Sequence, residues 1–255
     1  MTKDRQITSA FEIYTVKGGP LVQVSDPLHQ QVLHLLADNP MSTSDIAEAT
    51  GKAPSTLFVN LEAMTAKGLV SSEFDPADSR RKIYRSNSRL LAFSEEPNDA
   101  SMPLMIKAFD GLADAQGDYN KQMLRLLLLS LQNAGINLDP LMWNLGEGLG
   151  SAMADRTDLT RVEDLISHVK SFYSKNDLGE LSVYSFSPLV IIVRDSVVSR
   201  GFRSNTKYSL TQGLLTALLS KRTGRAFRVA SGEVYGQDNE YFRFTLEMPP
   251  HGEGQ

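Results

Sequence analysis

The chain has 255 residues, of which 41% are hydrophobic, and this is enough for one large domain or two ordinary ones. It contains no cysteine, which excludes disulfides, thiolate zinc sites, cysteine-held iron–sulfur clusters and thiol redox switches. The formal net charge is −4, and neither a transmembrane run of ~20 uncharged apolar residues nor a signal-peptide core is found, so we expect a cytoplasmic protein with no membrane partner.

Residues 11–24 (FEIYTVKGGPLVQV) predict two short strands around a Gly-Gly-Pro turn. Asp26 and Pro27 then open a helix. Its inward residues are expected to be Leu28, Val32, Leu35 and Leu36. His29 and His34 lie on this helix five residues apart, a spacing that suits neither an i,i+3 nor an i,i+4 metal pair. We therefore interpret both as ordinary surface or packing histidines.

Residues 41–70 predict two helices separated by a tight turn. The polar segment 42–45 provides side-chain oxygens that cap the first helix. Gly51 supplies the backbone freedom that the turn needs, and Pro54 is suited to the first turn of the second helix, which runs to about Lys67. The buried stripe of that second helix is expected to contain Leu57, Leu61 and Met64.

A turn rich in Asp, Pro and Ser follows, and it carries consecutive basic residues before a return strand at 83–85. Helix, turn, helix and basic hairpin in this order are typical of a winged helix-turn-helix. In such motifs the second helix meets base edges in the major groove and the hairpin lies against phosphates. The expected DNA-contacting residues are Ala53, Pro54, Ser55, Thr56, Phe58, Val59 and Asn60 in the major groove, with Arg80, Arg81, Lys82 and Arg85 on the backbone or in the minor groove. The alternative is a small helical domain that happens to end in a hairpin.

Charge in the first part of the chain is balanced, with ten basic and ten acidic residues in 1–92. Because affinity for DNA depends on phosphate neutralisation, a neutral domain would bind weakly as a monomer. We therefore expect a homodimer on double-stranded operator DNA. The polar, Pro-containing segment 94–103 is a predicted linker between an N-terminal domain (1–93) and a second domain (104–250), with a tail at 251–255.

The order of predicted helices and strands in residues 104–250 indicates an α+β fold. Residues 104–135 are helical in pattern, and the very apolar stretch 119–134 is either a core helix or a helix that packs against its twin in a dimer. Further predicted elements are helices at about 139–154 and 160–176, strands at 181–187 and 189–196, a helix at 209–222 and two closing strands.

Two family resemblances follow from these motifs. Residues 26–92 are similar to ArsR/MarR-type winged helices. Residues 105–250 resemble a ligand-binding domain of the 4-vinyl-reductase type. The elements that carry the second resemblance are Gly146 and Gly150 on an early helix, Asp195 ending a strand, Gly213 on the late helix, Glu233, and the closing Tyr241-Phe242-Arg243-Phe244.

Together the resemblances imply a transcription factor whose C-terminal domain dimerises and senses a small, largely apolar molecule. Members of the sensor family often carry cysteines near the last two strands, where this chain has Tyr235 and Tyr241. A thiolate-zinc or thiol-redox mechanism is therefore excluded here. The recognition helix departs from the usual polar pattern at Phe58 and Val59, which would contact thymine methyl groups or bind a protein instead.

A pocket for such a ligand would be lined by apolar and aromatic residues with a few polar groups. Candidate ligand-binding residues are Trp143, Phe172, Tyr173, Tyr184, Phe186, Phe202, Tyr208 and Phe227, and core packing is the alternative for each. Trp143 is the single tryptophan.

No motif demands catalysis, so no catalytic residue, metal site or cofactor is predicted. The segment 146–150 (GEGLG) follows no predicted strand and has neither Rossmann nor P-loop spacing, so we interpret its small residues as helix-packing positions. His168 stands alone on an amphipathic helix and lacks a second cue for haem ligation. Alternative functions are a protein-interaction scaffold whose winged helix does not bind DNA, and a small enzyme acting on a tetrapyrrole-like substrate.

Overall fold

A computed structural model describes residues 9–97, 102–113, 119–194, 206–235 and 241–248. The chain divides into two compact units, one spanning Ile7–Glu95 and the other continuing from Glu96. Both units mix helices with antiparallel strands, so the predicted α+β class is confirmed. The predicted linker 94–103 overlaps the last residue of one strand and the first two residues of a helix, and the predicted tail lies outside the described residues.

The described part of the N-terminal unit contains helices and strands in the following order: β1 (Glu12–Val16), β2 (Leu21–Val24), α1 (Pro27–Asp38), β3 (Met41–Ser42), α2 (Thr43–Thr50), α3 (Pro54–Ala66), β4 (Val70–Asp75), β5 (Asp78–Ser86) and β6 (Ser88–Ser94). Strand β5 lies between β3 and β4 in one sheet, and β1 lies between β2 and β6. The sequence did not predict β3 or β6, because both strands form by pairing with segments far away in the chain.

Local hydrogen bonds set the helix ends where the sequence predicts them. The Asp26 carboxylate accepts from two N–H groups in the first turn of α1. Ser42 and Asp45 form a reciprocal capping box at the start of α2. Gly51 and Gly68 adopt φ angles of 65° and 72°, a left-handed conformation that glycine tolerates, and they separate α3 from its neighbours.

The core of the N-terminal unit is formed by α1, α2, α3 and the strands β1, β2, β4 and β5. Its fully buried side chains include Val32, Leu33, Ile46, Leu57, Leu61, Met64, Leu69 and Tyr84. The predicted core stripe of α3 is therefore confirmed. In α1 the prediction of Leu35 as a core residue is wrong, because the helix turns Leu33 inward and leaves Leu35 half-buried.

The Glu12 carboxylate is buried in this unit and is contacted by the side chains of Ser9, Tyr14 and His34. The Tyr14 hydroxyl donates to it at 2.7 Å, and the His34 ring nitrogen Nε2 lies 2.8 Å from it. Burial, together with the neighbouring carboxylate, raises the pKa of Tyr14 far above its ordinary value. His34 therefore contacts a buried carboxylate of its own unit, which agrees with its interpretation as an ordinary histidine.

The described part of the C-terminal unit contains α4 (Met102–Ala113), α5 (Tyr119–Asn133), β7 (Ile136–Asn137), α6 (Asp139–Ala154), α7 (Val162–Lys175), β8 (Glu180–Phe186), β9 (Leu189–Arg194), α8 (Thr206–Thr223), β10 (Arg228–Tyr235) and β11 (Tyr241–Glu247). The last four strands form an antiparallel sheet in the order β10-β11-β9-β8. Side chains of α6, α7, α8 and this sheet form the core of the unit. The predicted helices and hairpins are thus confirmed, and the two-residue strand β7 was not predicted.

Helices α6 and α8 cross with their backbones almost in contact. The glycines at this crossing are Gly146, Gly150 and Gly213. A Cβ atom added at any of them would overlap a main-chain carbonyl oxygen of the facing helix, at Leu210, Leu214 and Trp143 respectively. Gly148 of the same helix has nothing within 4 Å of its added Cβ. Gly146 and Gly150 of segment 146–150 therefore allow close helix packing, as their pattern in the sequence predicts.

Candidate nucleic-acid interface

Helix α3 has one buried side and one exposed side. Leu57, Leu61 and Met64 are completely buried beneath it. On the opposite side, Phe58 is 54% exposed and Val59 is 67% exposed. Large apolar side chains usually leave water when a protein folds, so this exposed pair marks a surface available to a partner.

The remaining predicted major-groove residues lie around the first turns of α3. Ala53 is the N-cap residue, and it provides no side-chain hydrogen bond to the helix. Pro54, Ser55 and Thr56 are exposed in the first turn. The first N–H groups of α3 consequently have no side-chain acceptor from the N-cap residue, and such groups are suited to an anion such as phosphate.

Asn60 differs from the other predicted contact residues because its side chain is already hydrogen-bonded within the protein. Its Oδ1 lies 2.9 Å from Nε2 of His29 on α1. Its Nδ2 donates to the carbonyl oxygen of Thr56, one turn earlier, at 2.8 Å. His29 is itself buried, so this chain of contacts fixes α3 against α1 and confirms His29 as a packing histidine.

Strands β4 and β5 form the wing, with Pro76 and Ala77 between them. The Asp75 carboxylate accepts from the backbone N–H of Ala77 at 2.9 Å. The Asp78 carboxylate accepts from the backbone N–H of Arg80 at 3.0 Å. These two short-range bonds shape the tip and place Arg80 immediately beside it.

The four predicted wing cations are not equivalent. Arg81 contacts Asp45 at 2.9 Å and the Ser42 hydroxyl at 3.0 Å. Further ion pairs join Lys82 to Glu62 and Arg85 to Glu73, at 3.6 and 2.6 Å. The Arg80 side chain is exposed and has no partner among the described residues. Arg80 is therefore the wing cation that is available without breaking an internal contact.

The contacts of Arg81 and Lys82 connect the wing to the helices. Arg81 bonds to the capping box of α2, and Lys82 pairs with Glu62 on α3. Hydrogen bonds from Ser42, together with the charge of Arg81, hold the pKa of the Asp45 carboxyl below its usual value. The ion pairs are largely exposed, and such pairs contribute only ~0–1 kcal/mol, so a phosphate can compete for the same cations.

Two further cations lie near α3, and the sequence patterns did not point to them. Lys52 precedes the helix, and Lys67 is its C-cap residue. Both are exposed and have no ion-pair partner within the described residues. The sequence could have indicated both cations, because Lys52 and Lys67 are adjacent to Gly51 and Gly68. These glycines lie on either side of α3, and both ends of the helix are at the surface.

The described members of the predicted ligand-binding set lie in different environments of the C-terminal unit. Tyr208 and Phe227 lie in the core of the C-terminal unit, where Tyr208 stacks on Phe242 at 4.4 Å. Tyr184 and Phe186 are exposed on β8. The remaining described candidates are the half-buried Trp143 and Phe172 and the buried Tyr173, and Phe202 lies outside the described residues. A depression of about 360 Å³ between α7 and β8 is lined by Lys170, Ser174, Asp177, Gly179, Glu180 and Leu181, so it contains none of these aromatics.

Several residues that carry the resemblance to the sensor family have structural contacts in this fold. Gly146, Gly150 and Gly213 form the α6–α8 crossing. Glu233 pairs across the hairpin with Arg243 at 2.5 Å. Tyr235 and Tyr241 stack with their ring centroids 5.3 Å apart. Asp195 lies outside the described residues.

Within the part of the chain that the structure describes, no group of three or more His, Asp and Glu side chains is arranged to hold a metal ion. His168 is exposed on α7. In the same described part, every helix is too short or too polar to cross a membrane.

Comparison with protein-family models identifies the N-terminal region. Residues 24–81 match the MarR family, and this range covers α1, α2, α3 and the first part of the wing. Over this range the N-terminal unit is similar to the winged helices of the MarR family. This match suggests a DNA-binding transcriptional regulator, because MarR-family members are regulators. No curated protein matches the chain.

Proposed function

We propose that the protein is a homodimeric transcriptional regulator that inserts α3 of each protomer into the major groove of operator DNA. The observation that carries this proposal is the exposed side of α3, from Ser55 to Val59, next to a wing whose Arg80 has no internal partner among the described residues. In a winged helix, such a helix meets base edges and the wing cation meets a phosphate. Lys52 and Lys67 would add phosphate contacts at the two ends of α3.

The charge of the protein supports binding as a dimer. The chain has a net charge of −4, and most wing cations are engaged in ion pairs. Because each phosphate neutralised adds to affinity, one protomer with a few free cations would hold DNA weakly. Two protomers on adjacent half-sites, about one helical turn or ~34 Å apart, double the area of protein that faces the DNA.

The helical hairpin α4–α5 offers a surface for this dimer. Several of its large apolar side chains are about half exposed: Met102, Ile106, Phe109, Tyr119, Met123, Leu124 and Leu127. Homodimer interfaces are richer in apolar area than the rest of a protein surface, so a second copy of the chain is a suitable occupant.

The C-terminal unit is the proposed sensor of a small apolar ligand, on the basis of its resemblance to the 4-vinyl-reductase type. Trp143 and the aromatic residues grouped with it remain the proposed ligand contacts. A ligand would regulate DNA binding only by having unequal affinity for dimer states that differ in the spacing of their α3 helices.

The first test measures DNA binding by fluorescence anisotropy across a salt series. The full chain is titrated into a labelled duplex from its own upstream region and into a shuffled duplex of equal composition. We expect salt-sensitive binding that prefers the upstream duplex. Arg80→Ala should reduce the salt slope by about 1 for each phosphate that Arg80 neutralises in the complex. Arg161→Ala removes the same charge from an exposed position of α7's N-cap and should leave the slope unchanged.

If the wild-type protein shows no salt-dependent binding to either duplex, the DNA-binding proposal is wrong and a protein-interaction role is favoured. If binding is present but Arg80→Ala and Arg161→Ala behave alike, Arg80 is not a phosphate contact.

The dimer surface is tested by the molar mass in solution, measured by light scattering or sedimentation. Ile106→Glu and Phe109→Glu each place a charge in the apolar α4–α5 surface and should halve the molar mass and weaken DNA binding. Leu21→Glu is the control, because Leu21 is equally exposed but lies on β2 of the N-terminal unit. An unchanged mass in both α4 variants would remove this surface from the proposal.

A further inference from the structure

Helix α3 lacks the side chains that most often read guanine and adenine in the major groove. Its sequence, PSTLFVNLEAMTA, contains no Arg, Lys, His or Gln. Guanine is usually read by a bidentate Arg or Lys, and adenine by a bidentate Asn or Gln. Asn60 is the one amide in the helix, so the base preference of α3 depends on whether this amide is free.

The amide of Asn60 is committed at both of its polar atoms. Oδ1 is held by His29, and Nδ2 is held by the Thr56 carbonyl oxygen. The ring of His29 is buried, so moving Asn60 towards a base would leave that ring nitrogen without its partner. A buried polar group that loses its hydrogen bond is costly, and this cost opposes bidentate adenine recognition by Asn60.

The charged residue of α3 is also engaged. Glu62 pairs with Lys82 of the wing at 3.6 Å, and it lies one turn after Phe58 and Val59, towards the C-terminal half of the helix. Base contacts in helix-turn-helix proteins come mainly from the N-terminal residues of the recognition helix. The exposed residues in that half are Pro54, Ser55, Thr56, Phe58 and Val59.

We infer that Phe58 and Val59 read the C5-methyl groups of thymine, so that the preferred half-site contains T·A pairs opposite these two side chains. The inference rests on the proposed insertion of α3 into the major groove. The thymine methyl is the apolar group that base pairs present in that groove. Phe58 and Val59 are the two large apolar side chains that α3 exposes. Contact between them removes apolar surface of both partners from water.

Thymine specificity is tested on a duplex selected from a random-sequence library by the full-length wild-type protein. Each thymine of the selected half-site is replaced singly by deoxyuridine, which removes the methyl and leaves the pairing edge unchanged. We expect at least one replacement to weaken wild-type binding about fourfold, the effect of one buried carbon. Placing 5-methylcytosine, paired with guanine, at that position should restore part of the loss relative to cytosine.

The variants Phe58→Ala and Val59→Ala assign the methyl contact to these side chains. Each should bind the thymine duplex more weakly, and it should no longer distinguish thymine from deoxyuridine at its own position. Phe74→Ala is the matched control, since Phe74 is 62% exposed on the wing strand β4 rather than on α3. This control should keep the full fourfold discrimination. Circular dichroism verifies that each variant is folded, which is expected because all three side chains are exposed.

Two results would overturn the inference, and they are distinguishable. Sequence-preferring binding that no deoxyuridine replacement weakens would exclude methyl recognition and leave the DNA-binding proposal intact. Complete absence of DNA selection by the wild-type protein would exclude both, and it would leave Phe58 and Val59 as contacts for a protein.

Discussion

Helix α3 and the helix pair α6–α8 place small and apolar residues in opposite environments. In α3, Phe58 and Val59 face solvent above a buried Leu57. In α6–α8, glycines face another backbone so closely that no side chain fits between them. Residue type alone therefore does not define a functional surface. An exposed apolar residue is available to a partner, whereas a buried glycine is already committed to packing.

The largest expected loss of folding stability comes from substitutions at the α6–α8 crossing. Gly146→Ala, Gly150→Ala and Gly213→Ala each force a methyl group into a main-chain carbonyl oxygen. Because backbone atoms cannot move aside as a flexible side chain can, each variant should destabilise the C-terminal unit by about 3 kcal/mol or more. Chemical denaturation followed by circular dichroism measures this change.

Gly148→Ala is the matched control for that comparison, since its added Cβ meets nothing within 4 Å. Alanine is favoured over glycine inside a helix by roughly 0.5–1 kcal/mol, so this variant should be as stable as the wild type or slightly more stable. A destabilisation equal to that of Gly146→Ala would show that the crossing is not the cause.

The two sides of α3 should differ nearly as strongly. Leu57→Ala and Leu61→Ala remove completely buried side chains and should cost about 2–5 kcal/mol of folding free energy. Val59→Ala removes an exposed side chain and should change stability by less than about 0.5 kcal/mol. Comparable destabilisation by Val59→Ala and Leu61→Ala in urea denaturation would contradict the exposed assignment of Val59.

Replacing the two neighbouring arginines of the wing should change the free energy of unfolding by smaller and unequal amounts. Arg81→Ala removes the bonds to Asp45 and Ser42, and it should cost about 0.5–1 kcal/mol because these bonds are partly exposed. Arg80→Ala breaks no internal bond among the described residues and should be neutral for stability while reducing the salt dependence of DNA binding. Equal stability of the two variants would mean that the Arg81 bonds contribute nothing to the fold.

The smallest expected effect is the dependence of stability on acidic pH through Asp45. Its pKa is lower in the folded protein than in the unfolded chain, so its contribution to stability is present above the unfolded value of about 4. That contribution is lost as the pH falls through the folded pKa. The stability difference between wild type and Asp45→Asn should therefore narrow below about pH 4 in thermal unfolding. A constant difference would exclude this linkage.

Much of the N-terminal unit could be predicted because its signals are local. Ser42 and Asp45 form the capping box, and Gly51 and Gly68 take left-handed angles where the turns require them. The α1 core was predicted less well, since the choice between Leu33 and Leu35 depends on which face meets α2 and the strands. Strand β6 was missed because its partner β1 lies more than seventy residues earlier.

The candidate interface was predicted in outline, whereas the state of its individual side chains was not. The sequence places Asn60, Arg80, Arg81 and Lys82 near DNA but assigns them equal roles. Distances in the folded unit separate them, because Asn60 is bonded to His29 and Arg81 to the α2 cap, while Arg80 has no internal partner among the described residues. These pairings join segments about thirty to forty residues apart, and no short sequence window contains both members.

The sequence by itself determined the helices and hairpins, the winged-helix pattern, the exclusion of thiol chemistry and the packing role of Gly146 and Gly150. Capping, turn formation and hydrophobic periodicity act within a few residues, so they can be recognised without a fold. Only the tertiary structure decided which polar groups are already satisfied and which apolar groups remain exposed. Those properties depend on neighbours brought together by folding, and they define α3 as the surface that a partner can bind.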